Sequence, residues 1–434
     1  MQDKEQYKEL LLPNGLKVCL YPIETLMSVY AIAKIRTGAI FEKENERGIS
    51  HFVEHAAFLG TNQFPTQKDL GVYAENNGIS YSGATGNHFT DYTTYSPYTN
   101  LEKSLGLLYE LIFESKLDEE SVLKEKQVIL SEYNDFWHTP ERRFEQEFWR
   151  KRFSWENHPY SWRPMGTPET VRKLNISDIM KWRKKYYTPT NMVLCIVGNF
   201  KISEIENVII KTFGPLKKGI KHEEPKFSSN DYSDFNLYYL SDKRPQITFG
   251  LSFPSFGFRE TERKDWFKVR LLNQVLGGMR TSRLHSRLRE KERMVYKVGS
   301  FYTFHSWMGG LEITGAVPVE KLPTAIELTK EETLKLKNSG ITTKELECAK
   351  NRLSYSIMMA FDNPESVARD ISGQVFDDLE VWFPKQTIKM IKEIKKEEVE
   401  GLAERIFDFS KINIGLLGNV RQETIQEIDN IFRN

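Results

Sequence analysis

Two short echoes, VGNF at 197–200 and LGNV at 417–420, constrain this fold more than any other feature of the chain. Each closes a nearly continuous apolar run, NMVLCIVGNF (191–200) and KINIGLLGNV (411–420). A run of this kind reads as a buried strand. The elements before each run also share one order: strands, a helix, more strand, long helices, last strand. The chain is therefore expected to hold two similar domains that mix strands and helices. Its 434 residues suffice for two cores.

Periodicity places the elements. LKVCL (16–20) and VYAIAKI (29–35) alternate as strands, and RTGAIFEKENERGIS (36–50) reads as a loop. Ser50 or Asn45 is expected to cap a helix that runs through HFVEHAAF to Gly60. A short helix is expected at 67–76, a strand at YTTYSPY (92–98), and helices over 101–115, 118–136 and 141–152. The polar stretch KKGIKHEEPKFSSNDYSDF (217–235) reads as a linker. The pattern then restarts. ITFGLSFP (247–254) and LEITGAV (311–317) are strands, KDWFKVRLLNQVLGG (264–278) is a helix ending in glycines, and 320–337 and 343–358 are helical. The expected boundaries are an amino-terminal domain 1–220, a linker 221–235 and a carboxy-terminal domain 236–434.

Charge narrows the partners. With 61 basic and 60 acidic residues the formal net charge is +1, which leaves no nucleic-acid footprint. No run of eighteen apolar residues occurs, which argues against a membrane span. The start, MQDKEQYKELLLPNGLKV, lacks the apolar core of a signal peptide, so a cytoplasmic location is expected. Cys19, Cys195 and Cys348 are far apart and form no CxxC, so they read as small apolar residues in a reducing compartment, with no thiolate metal site.

HFVEH (51–55) carries the chemistry. Residues four apart on a helix project to one side, so His51 and His55 can reach one zinc ion. Glu54 borders the same face and is placed to take a proton from water at the metal. The order is His-x-x-Glu-His, the inverted form of a zinc peptidase motif. Two histidines are too few, because a catalytic zinc takes three protein ligands and keeps one open position. EKQVILSE offers Glu125 and Glu132, seven apart and on one helix face. Pattern alone does not choose Glu132 over Glu125 or Glu119. Of the other histidines, His158 reads as structural, His88 lies in the loop TGNHF, and His138, His222, His285 and His305 have no local ligand partner.

With those residues in view, the chain resembles the pitrilysin-type, inverted-zincin metallopeptidases, in the branch of two-domain subunits that includes the mitochondrial processing peptidase and its bacterial relatives. The family pattern is HxxEH, then 76 residues, then Glu, and 76 residues separate His55 from Glu132. GISHFVEHAAFLGT (48–61), HPYSWRPMGT (158–167), YYTPTNMVLCIVGNF (186–200) and the final GLLGNV fit the extended motifs. The resemblance implies an α+β fold of two similar domains, each a mostly antiparallel sheet packed with helices. It assigns one zinc ion per chain to His51, His55 and Glu132, the base to Glu54, and a supporting acid to Glu125. It also implies that LGGMRTSRLHSRLREKERMVYKVGS (276–300) presents Arg289 and Tyr296 to the substrate. Arginine can hold a peptide carbonyl and a tyrosine hydroxyl can donate to an oxyanion. Gly277 and Gly278 lack phosphate-loop spacing and read as a close helix–loop turn.

Two departures stand out. The family often has Asn-Ala in a strand near the site, where SGAT (82–85) puts Ser82 and Gly83, so Ser82 is a candidate substrate contact of shorter reach. Met294 and Val295 replace a usual Gly-Leu. The expected function is zinc-dependent endopeptidase action on unfolded peptides or short polypeptides. An edge strand at Ala33–Gly38 is expected to pair with the extended substrate. The resemblance implies a homodimer, with a heterodimer as the other arrangement. The rival reading is a noncatalytic partner subunit that keeps the fold. Its signature is loss of a ligand or the base, and the chain has lost neither.

Overall fold

The computed structural model describes residues 6–155 and 157–433. Residues 1–5, which begin the segment read above as lacking a signal peptide, lie outside the described residues, as do Glu156 and Asn434. Among the described residues no helix is long and apolar enough to cross a membrane.

Two mixed sheets organise the chain. The first contains β1 (Lys8–Leu11), β2 (Lys17–Pro22), β3 (Ser28–Ile35), β4 (Ser80–Thr85), β5 (Thr90–Pro97) and β6 (Met192–Gly198), in the order β1-β2-β6-β3-β5-β4. The second contains β7 (Asn236–Ser241), β8 (Gln246–Phe256), β9 (Lys297–Phe304), β10 (Met308–Pro318) and β11 (Asn413–Gly418), in the order β7-β11-β8-β10-β9. The β2–β6 and β7–β11 pairs are parallel and the others antiparallel. The expected α+β class, with two similar and mostly antiparallel sheets, is what the chain adopts. The VGNF and LGNV echoes close β6 and β11, which occupy the same place in the two strand orders.

β3 shows how sequence sets position. Val29, Ala31, Ala33 and Ile35 face one core, while Tyr30 and Ile32 face another. A strand buried on both faces belongs inside a sheet. Ala33–Gly38 therefore does not form the expected edge: β3 ends at Ile35 and lies between β6 and β5. The open edge on that side is β4, whose alternate residues are exposed.

The chain separates into two compact units, neither of them contiguous. One runs to Phe136 and adds Trp162–Pro225 and Met358–Lys385. The other is Trp137–Ser161, Lys226–Ile357 and the chain from Gln386. The contiguous boundaries expected above, 1–220 and 236–434 around 221–235, do not contain this reciprocal trade of one segment each. Its cause is amphipathic burial. The helix Pro364–Phe376 starts at Asn363, whose side chain accepts from the Ser366 N–H, and buries Val367, Ala368, Ile371 and Val375 against the Tyr30/Ile32 face of the first sheet. The valine and isoleucine side chains each stabilise by about 1.5–3 kcal/mol when fully removed from water. The helix Pro140–Lys151 lays Phe144 and Phe148 on β11 of the second sheet in the same way.

Cys19 and Cys195 are buried neighbours on β2 and β6 and are unpaired thiols, whereas Cys348 is exposed. His158 is buried and stacks on Phe153, as a structural histidine does.

Candidate active site

The motif helix is Ile49–Ala56 and stops short of Gly60. Ile49, Phe52, Val53 and Ala56 bury one side of it in the first core, which turns His51 and His55 to the other. Neither Ser50 nor Asn45 caps it. Gly48 is the N-cap, with φ 96° in the left-handed region, and Ser50 lies inside the helix. Glu42, from the loop before, does the capping: its carboxylate accepts from the N–H of Gly48 at 2.8 Å and of Ser50 at 2.9 Å. Burial pushes Glu42 up to about 7, while those two bonds oppose the shift.

The second contributing helix is Glu119–His138. Val122, Ile129 and Phe136 are buried at seven-residue steps, and Glu125 and Glu132 follow the first two by three residues. Both acids consequently lie on one face, and tertiary geometry separates their roles. His55 Nε2 is 3.3 Å from His51 Nε2 and 3.6 Å from Glu132 Oε2. Its other nitrogen, Nδ1, is 2.6 Å from Glu125 Oε1. Glu125 thus accepts the Nδ1–H and leaves the Nε2 lone pair facing His51 and Glu132.

One ligand atom from each of His51, His55 and Glu132 lies within 4.8 Å of the others. Glu119 is not in that group. Bonds of about 2.0–2.1 Å at tetrahedral angles put neighbouring donors roughly 3.3 Å apart, close to the spacing of the two imidazoles. A bare Nε2 lone pair facing a second ring nitrogen at 3.3 Å is an arrangement that a cation relieves. The His51 Nδ1 is buried without a hydrogen-bond partner among the described residues. These donors fit a zinc ion.

Burial, reinforced by the charge of His55, holds His51 down at about 3 and its imidazole neutral. Burial opposes a charge on His55 as well, but the bond to Glu125 and the charges of Glu54, Glu132 and Glu125 outweigh it, so its pKa is raised. Glu54 is buried and pushed up to about 7 by that burial, against the pull of His55 and of the Thr85 hydroxyl. Its Oε2 lies 4.0 Å from His51 Nε2 and accepts from Thr85 Oγ1 at 3.4 Å.

Sequence reasoning missed three residues here. Glu42 sits six to eight positions ahead of the groups it caps, in a loop with no periodicity. Thr85 and Gly83 lie on β4, facing the motif helix. A Cβ on Gly83 would stand 2.6 Å from Glu54 Oε1, so the Glu54 carboxylate occupies space that glycine leaves open. SGAT was the one available signal, read above only for Ser82. The Ser82 hydroxyl projects from the opposite face of the strand and donates to the carbonyl of Gly83 at 3.3 Å.

Arg289 and Tyr296 come together in the second unit. Arg289 lies on the wide, π-type helix His285–Lys291, and its guanidinium is 5.5 Å from the centre of the Tyr296 ring. Tyr296 is 80% exposed. Gly277 makes the close turn expected of it: a Cβ there would stand 2.5 Å from the backbone nitrogen of Ser300 on β9. His88 does not join the metal-binding group; its Nδ1 is 3.2 Å from Glu224.

The fold and the cluster define a zinc-metallopeptidase-like catalytic domain with a candidate inverted His-x-x-Glu-His metal site, consistent with an active endopeptidase rather than a purely structural subunit. Comparison with known proteins agrees. Residues 24–160 match the model of the insulinase family, peptidase family M16, and residues 173–353 match the M16 inactive domain. A protein of Rickettsia bellii described as an uncharacterized zinc protease is 28% identical over 410 residues, covering 94% of this chain and 96% of its own. The Bacillus subtilis zinc protease YmxG, also described as uncharacterized, is 28% identical over 415 residues, covering 94% and 98%. A protease from Helicobacter pylori shares the fold, with a TM-score of 0.83 at 22% identity over 95% of this chain and 99% of that one. The chain has the zinc-metallopeptidase fold of the M16 (pitrilysin/insulinase) family, with its inverted His-x-x-Glu-His cluster, and is related to processing-peptidase-like two-domain subunits.

Proposed function

We propose that the protein is a one-zinc endopeptidase for unfolded peptides and short polypeptides, with His51, His55 and Glu132 as ligands and Glu54 as the proton carrier. The observation that carries this reading is the convergence of three donor atoms within 4.8 Å beside a buried carboxylate. A zinc ion held there supplies Lewis acidity, which acidifies water and polarises a carbonyl. Glu54 takes the proton from the attacking water and delivers it to the leaving amine. Glu125 keeps His55 in the tautomer that turns Nε2 to the ion.

β4 supports the choice of extended substrates. Its outer side has no strand partner among the described residues, so a peptide can add there by main-chain pairing, which tolerates many sequences. Arg289 and Tyr296 are read as substrate contacts, Arg289 to a carbonyl or carboxylate and Tyr296 to the oxyanion. Their mutual contact and the exposure of Tyr296 support that role. The buried, unpaired Cys19 and Cys195 support a reducing compartment such as the cytoplasm. A homodimer is the proposed assembly, on the likeness to two-domain subunits, and light scattering tests it.

Cleavage of a quenched peptide library by wild type and Glu54→Gln, with zinc measured in both, tests the function. Wild type is expected to hold one zinc and cut, and Glu54→Gln to hold zinc and not cut. A folded wild type that binds no zinc and cuts nothing overturns the reading. Equal cutting by both proteins removes Glu54 as the base.

A further inference from the structure

We propose that a cavity on the face of the first sheet turned away from the motif helix is a substrate subsite, which takes an uncharged aromatic side chain of the peptide paired along β4. The inference rests on the reading of β4 as the strand that binds substrate, and adds which side chain it prefers.

The cavity measures about 370 Å³, at the small end of ligand sites and suited to one side chain. The sheet is its floor, with Tyr30 from β3, Thr93 and Tyr95 from β5, and Ser80 and Ser82 from β4. Register brings these five together. Tyr95 stands between Tyr30 and Ser80, and Thr93 stands opposite Ser82. Residues opposite one another in a ladder share a face. The wall is the start of the helix Pro364–Phe376, through Glu365 and Arg369. That helix packs on β3 and β6. The sheet beyond it, out to the rim at β4, is what the cavity exposes.

Alternation ties the cavity to the reacting centre. Gly83 stands against the Glu54 carboxylate, and Ser82, its neighbour, faces the other way. A peptide added outside β4 repeats that alternation. Its residue opposite Gly83 turns its side chain toward the motif helix. The next residue, opposite Ser82, turns its side chain toward the cavity. The cavity therefore reads a position beside the one nearest Glu54.

The lining sets the chemistry. Among the described residues its charged groups are Arg369 and Glu365, and they partner each other: Arg369 Nε donates to Glu365 Oε1 at 2.9 Å. Arg369 also donates to the Tyr30 hydroxyl at 3.1 Å and to the buried Asp91 at 3.1 Å, and Tyr30 donates to Glu365 at 3.2 Å. Lys34 answers Asp91 from the other side. A charged side chain entering here meets no unmatched counter-charge, and its loss of water is not repaid. A ring does find partners. Tyr30 and Tyr95 lie 6.2 Å apart at a tilt of 48°, and Tyr95 is exposed. A third ring seated on Tyr95 extends that pair and removes it from water.

The test is cleavage of a peptide library by the full chain, with cut sites read by mass spectrometry and kcat/KM measured for matched peptides. Wild type is expected to favour phenylalanine, tyrosine or tryptophan at one position beside the cut, about 10-fold over lysine or aspartate there. Tyr95→Ala is expected to reduce that advantage to about two-fold, with zinc content and melting temperature unchanged. Glu365→Gln frees the Arg369 charge, and is expected to raise kcat/KM for aspartate at that position about five-fold or more. The inference is overturned if wild type shows no aromatic preference beside the cut, if Tyr95→Ala keeps the full preference, or if Glu365→Gln rejects aspartate as wild type does. If Tyr95→Ala does not fold, Glu365→Gln decides alone. A wild type that cuts without this preference removes the subsite and leaves the peptidase. A folded wild type that cuts nothing removes the reading beneath it, and the subsite with it.

Discussion

In the first sheet, Gly83 on β4 stands opposite Tyr92 on β5, one residue after the buried Asp91; in the second, Ser300 on β9 stands opposite Ile313 on β10, one residue after the buried Glu312. Both acids meet an arginine from the segment that the two units trade, Asp91 with Arg369 at 3.1 Å and Glu312 with Arg152. Gly83 and Ser300 therefore occupy equivalent places. Each strand is approached closely by a helical segment, the one after β3 in the first sheet and the one after β8 in the second, and at both a glycine makes room. In the first unit the glycine is on the strand, and the space admits the carboxylate of Glu54. In the second the glycine is Gly277, on the approaching turn, and the space brings backbone against backbone. One frame can thus be spent on chemistry or on packing, depending on which partner gives up its side chain. The helix Arg263–Asn273, which follows β8 as Ile49–Ala56 follows β3, carries no histidine, and it lies within residues 173–353, which match the M16 inactive domain.

The contrast breaks most sharply at Glu54. Glu54→Gln should lower kcat by about 10²- to 10⁴-fold, the range for a lost general base, with an unchanged melting curve. Arg289→Ala should instead act through the second unit, with kcat/KM down and zinc content unchanged. An equal loss of zinc in both variants would end the division of labour.

The two arginine–acid pairs should separate next. Arg152 and Glu312 are nearly closed to water, with side chains 8% and 3% exposed, and Ser252 accepts from Arg152 at 2.8 Å. Arg152→Ala leaves a buried carboxylate unpaired and should destabilise by about 3–5 kcal/mol in urea unfolding. Arg369 is 41% exposed, and Lys34 still faces Asp91 when it is gone, so Arg369→Ala should cost about 1 kcal/mol. Similar losses in the two variants would show that the pairs are not counterparts in energy.

Acid–base behaviour should differ in sign. Glu42, raised to about 7, holds a proton in the folded state that the unfolded chain releases near 4.5, so its contribution declines as pH rises between those values. That change is on the order of 3 kcal/mol, and Glu42→Gln should flatten the stability profile there. Glu345 in the second unit is lowered to about 2. Burial opposes that shift, and the bonds from Arg283 and the Thr342 N–H outweigh it. Its contribution is complete above about 4.5 and is lost as pH falls toward 2. Glu345→Gln should flatten only that acid limb.

At Glu125 the expected effect falls on metal affinity and spares the saturated rate. Glu125→Gln should weaken zinc binding by about 10- to 100-fold, measured by competition with a chelator, and leave the zinc-saturated rate near wild type. A variant that binds zinc as tightly as wild type would leave Glu125 with no part in orienting His55.

The sequence by itself determined what is local. The period-two alternation of β3, the apolar runs ending in VGN and LGN, and the four-residue spacing of His51 and His55 each depend on neighbours a few positions away. The strands, helices and the candidate ligand pair were legible for that reason. The separation of Glu132 from His55 was legible through family likeness alone, because a seven-residue spacing puts Glu125 and Glu132 on the same helix face. That likeness aside, only the tertiary structure distinguishes them, by giving Glu125 one nitrogen of His55 and Glu132 the other. It also decided which strand is the edge and which sheet each traded helix covers. An amphipathic pattern records that a face is buried and carries no label for its partner. The room for the Glu54 carboxylate is of the same kind: Gly83 in SGAT is an ordinary small strand residue until the fold brings Glu54 against it, 29 positions back in the chain.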